Sequence, residues 1–268
     1  MNGVRNEAAY TVPPFPVRRV DVLGVPVSAV DPMTALAVIE NWVQSREPNY
    51  ACCTSVNGVL AAQDDQRLIE IYRNAGLITP DGMPLAWVAR LRGFSGVQRV
   101  YGPALMLACC DRFREHGTRH YLYGGAEGVP ELLSQRLQSR FPGIRIVGAY
   151  SPPFRALTPE EEALDVERIN ESGADIVWVG LGAPKQDYWM AKNVGRVQAP
   201  VLVGVGAAFD FHAGLKRQAP RWMRESGLEW LFRLLSEPRR LGKRYLIGNP
   251  RFVVLLAAEE FRRCAARD

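Results

Sequence analysis

Nowhere in the 268 residues does an apolar run approach the about 20 residues that a membrane-spanning helix requires, and the best stretch, Phe252 to Ala258, is far too short. The first residues, through Pro13-Pro14-Phe15-Pro16, also lack the apolar core of a signal peptide. A soluble or peripheral protein in the cytoplasm is therefore expected. Cysteine is scarce: Cys52-Cys53, Cys109-Cys110 and Cys264 form no C-x-x-C or Cys/His zinc spacing, and adjacent cysteines rarely bridge. All five are expected to be buried small apolar side chains. The three histidines, His116, His120 and His212, have no metal-ligand spacing, and no Asp-x-Asp pair occurs. No metal site or resident cofactor is expected. There is no nucleophile elbow or Ser-His-Asp constellation, no G-x-G-x-x-G dinucleotide fingerprint, no internal repeat and no low-complexity tract.

What is present is an ordinary globular composition, 47% hydrophobic and 23% charged, with a net charge of +5. The charge is unevenly spread. Between Lys216 and Arg251 ten basic residues face three acidic ones, Glu225, Glu229 and Glu237, a balance of +7 that exceeds that of the whole chain. The basic character belongs to the C-terminal end, where it suits anionic lipid, a phosphate-bearing substrate or nucleic acid.

The hydrophobic pattern predicts a short strand pair over Arg19 to Val27. A helix follows Asp31-Pro32 to about Ser45, with aspartate as N-cap and proline at the first helical position. Short apolar runs at Tyr50–Ser55, Leu77–Thr79, Arg119–Tyr123, Arg145–Ala149, Asp175–Leu181 and Val201–Val205 read as strands. Helical segments separate them: Asn57–Asn74, Met83–Leu91, Pro103–His116, Val129–Arg140, Pro159–Ser172 and Lys185–Asn193. This alternation predicts an α/β fold, a Rossmann-like, doubly wound and mostly parallel sheet. Beyond Gly214 the segment Arg217–Arg244 reads as helical, basic and aromatic, divided by Pro238, and Asn249-Pro250 precedes a last helix to about Arg263. The expected organisation is a loose leader over 1–18, an α/β domain over 19–215 and a helical appendage over 216–268.

Ligands of such sheets bind outside the carboxyl ends of the strands. That edge holds Pro80-Asp81-Gly82, where Asp81 is either a general base or part of a common turn, the turn being favoured on spacing alone. It also holds Gly124-Gly125, where backbone N–H groups and a helix start suit a phosphate but a tight turn suffices. In Gly182-Ala183-Pro184-Lys185-Gln186, Lys185 and Gln186 stand at a positive helix end and suit a diphosphate or sugar hydroxyls, or are solvated polar residues of a helix start. Gly206-Ala207-Ala208-Phe209-Asp210 permits close ligand approach, with Asp210 suited to a ribose or sugar, and equally suits close strand–helix packing. Arg217, Arg221 and Arg224, spaced four and three apart, share one face if helical. With Trp222 and Trp230 they suit an interfacial helix on anionic lipid, a helix packed on the sheet, or contacts between copies of the chain.

Taken together and in order, Ser55-Val56-Asn57, Pro80-Asp81-Gly82, Tyr123-Gly124-Gly125, Gly180 to Gln186, Gly206 to Asp210, Ala219 to Trp222, Gly227 to Leu234, Glu237 to Arg240 and Arg244-Tyr245 resemble the WecG/TagA/CpsF family of glycosyltransferases. The resemblance runs from about Val20 to Arg251. It implies an inverting, metal-independent transferase that carries N-acetylmannosamine, its uronic acid or glucose from a UDP donor to a sugar on polyprenyl diphosphate. It further implies a peripheral position on the inner face of the cell membrane. Asp81 matches the proposed general base, Asn57 and Gln186 match pocket residues, and Arg233 and Arg240 match arginines brought over the site by the appendage. Many relatives carry threonine at the Ser55 position, and here Thr54 lies next to it. Lys243 stands where arginine is expected; it neutralises a phosphate without the planar fork. The readings outside this resemblance are a nucleotide-binding oxidoreductase or epimerase, and a basic module on nucleic acid.

Overall fold

Six strands with apolar side chains on both faces pair only in parallel. The structure, a computed structural model, describes residues 17–266; residues 1–16 of the expected leader lie outside them. The strands are β1 (Arg19–Val22), β2 (Val25–Ser28), β3 (Asn49–Thr54), β4 (Leu77–Pro80), β5 (Arg119–Gly124), β6 (Arg145–Tyr150), β7 (Ile176–Gly180) and β8 (Val201–Gly204). β1 and β2 form a separate antiparallel hairpin, and the main sheet runs β4-β3-β8-β7-β5-β6. Neighbouring side chains point to opposite faces. Val177 and Val179 enter one apolar layer, while Ile176 and Trp178 enter the other.

Helices Val56–Asp64, Gln66–Asn74, Met83–Leu91, Pro159–Glu171 and Lys185–Asn193 cover the first layer. Pro32–Ser45, Gly102–Phe113, Val129–Arg140 and Ala208–His212 cover the second. This is the doubly wound α/β fold expected from the alternation. Local chemistry agrees: the Asp31 carboxylate caps Pro32–Ser45 by accepting the Thr34 N–H at 2.7 Å. Burial of Trp178, Tyr72 and Phe209, each at most 1% exposed, contributes about 1.5–3 kcal/mol per large side chain. His120 is a core residue whose Nδ1 accepts the Trp178 indole N–H at 3.0 Å. Two thiols depart from the expected burial, Cys53 being half-buried and Cys264 exposed. Cys53 sits near the open edge of the sheet and Cys264 on the last turns of the final helix.

The C-terminal segment differs from the sequence expectation in two respects. Its first helix is only Arg221–Glu225, so Arg217 does not share a face with Arg221 and Arg224. Pro220 is the cause, because the residue before a proline is driven to extended backbone. After Glu229–Ser236, one helix of 28 residues, Pro238–Ala265, runs straight through Asn249-Pro250. Pro250 removes one backbone donor, but the helix is anchored on both sides of it by buried Tyr245 and Phe252. Arg251 holds Asp64 through two bonds of 2.7 and 2.6 Å. Further along, Glu259 receives the Arg92 guanidinium at 2.8 Å and the Leu23 N–H at 3.2 Å. Leu23 and Gly24 form the β1–β2 turn with φ of 53° and 80°, so this contact steadies a leucine in a region that favours glycine.

Candidate active site

The carboxyl ends of β3, β4, β5, β7 and β8 surround a cavity of about 400 Å³ closed on one side by the C-terminal helices. Asp81 follows directly on β4. Its N–H donates to the Thr54 carbonyl at 2.9 Å, and one carboxylate oxygen accepts the Gly102 N–H at 2.8 Å. These bonds fix the turn at Pro80-Asp81-Gly82 and hold the Asp81 side chain in the cavity lining. Loss of solvent pushes the Asp81 carboxyl up to about 6; Arg99, the Gly102 N–H and Arg233 pull it down, while Glu229 pushes it up. The group is ionised at neutral pH and basic enough to take a proton.

Gly125, Gly182, Lys185, Gln186, Gly206 and Asp210 all line the same cavity. Gln186 braces two of its loops, its side-chain oxygen accepting the Gly206 N–H at 3.0 Å. Gly124 lies just behind the lining. Its φ is 122°, and a Cβ there would meet Gly180 backbone at 2.6 Å, so the close approach of β5 and β7 requires glycine. Asp210 is paired with Lys216 at 2.9 Å. Ser55 is the N-cap of Val56–Asp64, yet its hydroxyl makes no capping bond and it lines the cavity. Thr54 is 3% exposed and lies beneath, beside Tyr72. That layer continues to Asp187, a buried carboxyl pushed up to about 7 by loss of solvent and hydrogen-bonded by Tyr72 at 3.3 Å.

Three arginines of the C-terminal helices, Arg233, Arg240 and Arg244, complete the lining. Arg240 pairs with Glu237, whereas Arg233 and Arg244 make no ion pair among the described residues. Loss of solvent, then the nearness of Arg233 and Arg240, holds the Arg244 guanidinium below its ordinary value, with Tyr245 and Asp81 acting the other way. Lys243 lines neither this cavity nor its neighbour. Successive helical residues point about 100° apart, so Arg244 and Lys243 do not face the same way. Arg244 was legible as part of the Arg244-Tyr245 motif and of a basic run, without a role at the site.

A second cavity of about 510 Å³ adjoins the first and holds Asn57, which does not line the polar one. Ser55, Asp81, Arg233 and Arg244 line both. Arg99, which the motif reading missed, ties this seam together. Its guanidinium donates to the Asp81 carbonyl, to the Arg224 carbonyl at 3.0 Å and to the Glu229 carboxylate. The Arg99–Glu229 pair is largely enclosed, with side chains 14% and 12% exposed. Arg99→Met strands that carboxylate, and a loss of up to roughly 3–5 kcal/mol in urea unfolding is expected. Arg99→Met combined with Glu229→Met should recover most of it.

No cluster of three His, Cys, Asp or Glu side chains suited to a metal ion occurs among the described residues. The arrangement is a carboxylate of raised basicity beside three converging guanidiniums, of which Arg233 and Arg244 make no ion pair among the described residues, and glycine-lined strand ends. It suits proton removal from a hydroxyl next to a departing phosphate. The model of the glycosyl transferase WecG/TagA/CpsF family matches residues 20–266. A Bacillus spizizenii protein named N-acetylglucosaminyldiphosphoundecaprenol N-acetyl-beta-D-mannosaminyltransferase is 31% identical over 199 residues, 74% of this chain and 75% of its own length. With the fold, the ordered motifs and the match over nearly the whole described chain in agreement, this protein belongs to the WecG/TagA/CpsF family and is a glycosyltransferase.

Proposed function

We propose that the enzyme transfers a hexosyl group, N-acetylmannosamine by likeness to the Bacillus spizizenii protein, from a UDP donor to a sugar carried on polyprenyl diphosphate, with inversion at the anomeric carbon. The observation that carries this reading is the Asp81 carboxylate at the seam of two cavities, with Arg233 and Arg244 beside it and without an ion pair among the described residues. The donor lies in the polar cavity, its diphosphate against Lys185, Arg233, Arg240 and Arg244. The acceptor hydroxyl approaches Asp81 from the other side. As the hydroxyl oxygen bonds to the anomeric carbon, its proton passes to Asp81. The bond from that carbon to the diphosphate oxygen breaks, and UDP leaves with the electron pair. The sugar is oxocarbenium-like at the crossing, as in glycoside hydrolysis. The growing charge on UDP is met by guanidinium groups already in place. The expected result is UDP release when UDP-N-acetylmannosamine is supplied with a polyprenyl-diphosphate sugar; no release from any UDP-sugar with such acceptors would refute the reading.

The C-terminal helices are proposed to rest on an anionic membrane surface at its inner face. Trp222, Leu235, Leu246 and Ile247 are 62%, 73%, 65% and 58% exposed, in the same segment that carries the +7 balance. No helix among the described residues is long and apolar enough to cross a membrane. Leu246→Glu with Ile247→Glu should reduce sedimentation with anionic vesicles at physiological salt, and unchanged sedimentation would defeat the proposal.

A further inference from the structure

We propose that the second cavity is an isoprenoid site: it seats the first units of the acceptor's polyprenyl chain and so sets the direction from which the acceptor hydroxyl reaches Asp81. This rests on the transferase reading above. The cavity lies between helix Met83–Leu91 and the C-terminal helices, and its walls are Met83, Trp87, Leu228, Trp230, Phe252 and Leu256. Its inner end is charged, because Asp81, Arg233 and Arg244 belong to both cavities. A ligand that fills it is apolar at one end and presents a polar, anionic group toward Asp81. A nucleotide does not fit that division. Uracil, ribose and diphosphate carry polar groups along their whole length, and the apolar walls would leave them unpaired at a cost of about 1–3 kcal/mol each.

Arg224 supplies a second, independent observation. It lines this cavity and not the polar one, and it makes no ion pair among the described residues. Its Nε is buried without a hydrogen-bond partner among the described residues. A cation held in this way beside an apolar wall is suited to the diphosphate that joins the acceptor sugar to its lipid. The lining arginines then divide by position: Arg240 faces the donor cavity alone, Arg99 and Arg224 the lipid cavity alone, and Arg233 and Arg244 stand between. The rim explains how a long chain leaves. Leu91 and Val253 line the cavity and are 86% and 63% exposed, so the groove opens to the surface between two helices rather than ending blind. Apolar chain laid there gains about 25 cal/mol for each Å² removed from water.

The test uses the full chain and two acceptors with the same sugar diphosphate, one on a long isoprenoid and one on a methyl tail, together with binding of farnesyl diphosphate by calorimetry. Wild type should show a lower KM for the long-tailed acceptor. Val253→Asp and Trp87→Ala should each raise that KM by roughly tenfold or more beyond any change for the methyl-tailed acceptor. Trp87→Phe, which keeps an aromatic ring, should restore much of the difference and guards against a folding defect in the alanine variant. Farnesyl diphosphate should bind wild type and bind weakly to Val253→Asp and to Arg224→Gln. Equal KM changes for both acceptors, or farnesyl diphosphate binding indifferent to these substitutions, would overturn the proposal. A change of oligomeric state in Val253→Asp with lipid binding intact would also overturn it, assigning the groove to contacts between copies. If wild type turned over no UDP-sugar yet bound farnesyl diphosphate through Val253 and Arg224, the transferase reading would fail and the isoprenoid site would stand.

Discussion

Asp81→Asn should retain UDP-sugar binding and lose transfer by about 100- to 10,000-fold, the range that a positioned general base contributes. Asparagine keeps the acceptor for the Gly102 N–H, so the loop after β4 stays in place and only the proton acceptor is lost. The pH profile supplies a second readout. The reactive form is the carboxylate, so wild-type kcat/KM should rise with pH through about 6 and level above it. That limb should be absent in Asp81→Asn. Stability should move the other way. The folded-state carboxyl sits above its unfolded value near 3.8, so the unfolded chain binds fewer protons between pH 4 and 6, and folding is penalised as pH rises through that window. At pH 8 the full penalty applies, and Asp81→Asn should unfold at a higher temperature, by up to roughly 2 kcal/mol of added stability. Near-normal turnover of this variant would remove Asp81 from the mechanism.

Arg244→Ala should reduce kcat by about 100- to 1,000-fold, the usual loss when one prearranged donor to a developing negative charge is removed. The guanidinium is held near Arg233 and Arg240 with no ion pair among the described residues, an arrangement unfavourable until an anion arrives. In the proposed function that anion is the donor's diphosphate, so the effect should fall mainly on kcat, with a smaller change in donor KM. Arg244→Lys should recover only part of it, because the ammonium lacks the planar fork. Lys243→Ala is the matched control one residue away. It lines neither cavity, and a change of less than tenfold is expected. Reversal of this order, with Lys243 essential and Arg244 dispensable, would mean that the final helix turns a different face to the substrate.

The α/β architecture was readable because it rests on local regularities. Strands of four to six residues alternate with helices opened by Asp31-Pro32, Thr158-Pro159 or Gly128-Val129-Pro130, and each such signal acts within a few residues. The strand ends were readable for the same reason, so Asp81, Gly125, Gly182, Gln186 and Gly206 could be named before their common cavity was known. The family's ordered motifs added roles to those positions.

What adjacency in sequence did not reveal was facing. Ser55 and Thr54 are neighbours, but strand alternation sends the threonine into the layer beneath and leaves the serine on the cavity. Lys243 and Arg244 are separated by one helical step, and only one lines the site. The segment around Pro250 reads as a helix boundary, yet Tyr245, Phe252 and the Arg251–Asp64 pair keep a single helix across it. Arg99 carries no motif at all. Its place comes from Asp81, Arg224 and Glu229, residues 18, 125 and 130 positions away in the chain. The amino-acid sequence by itself determined the sheet, its open edge and the carboxylate placed there. The family resemblance pointed to Arg233 and Arg240, and the tertiary structure added Arg244 and Arg99, because these charges meet only when the last three helices pack back across the strand ends.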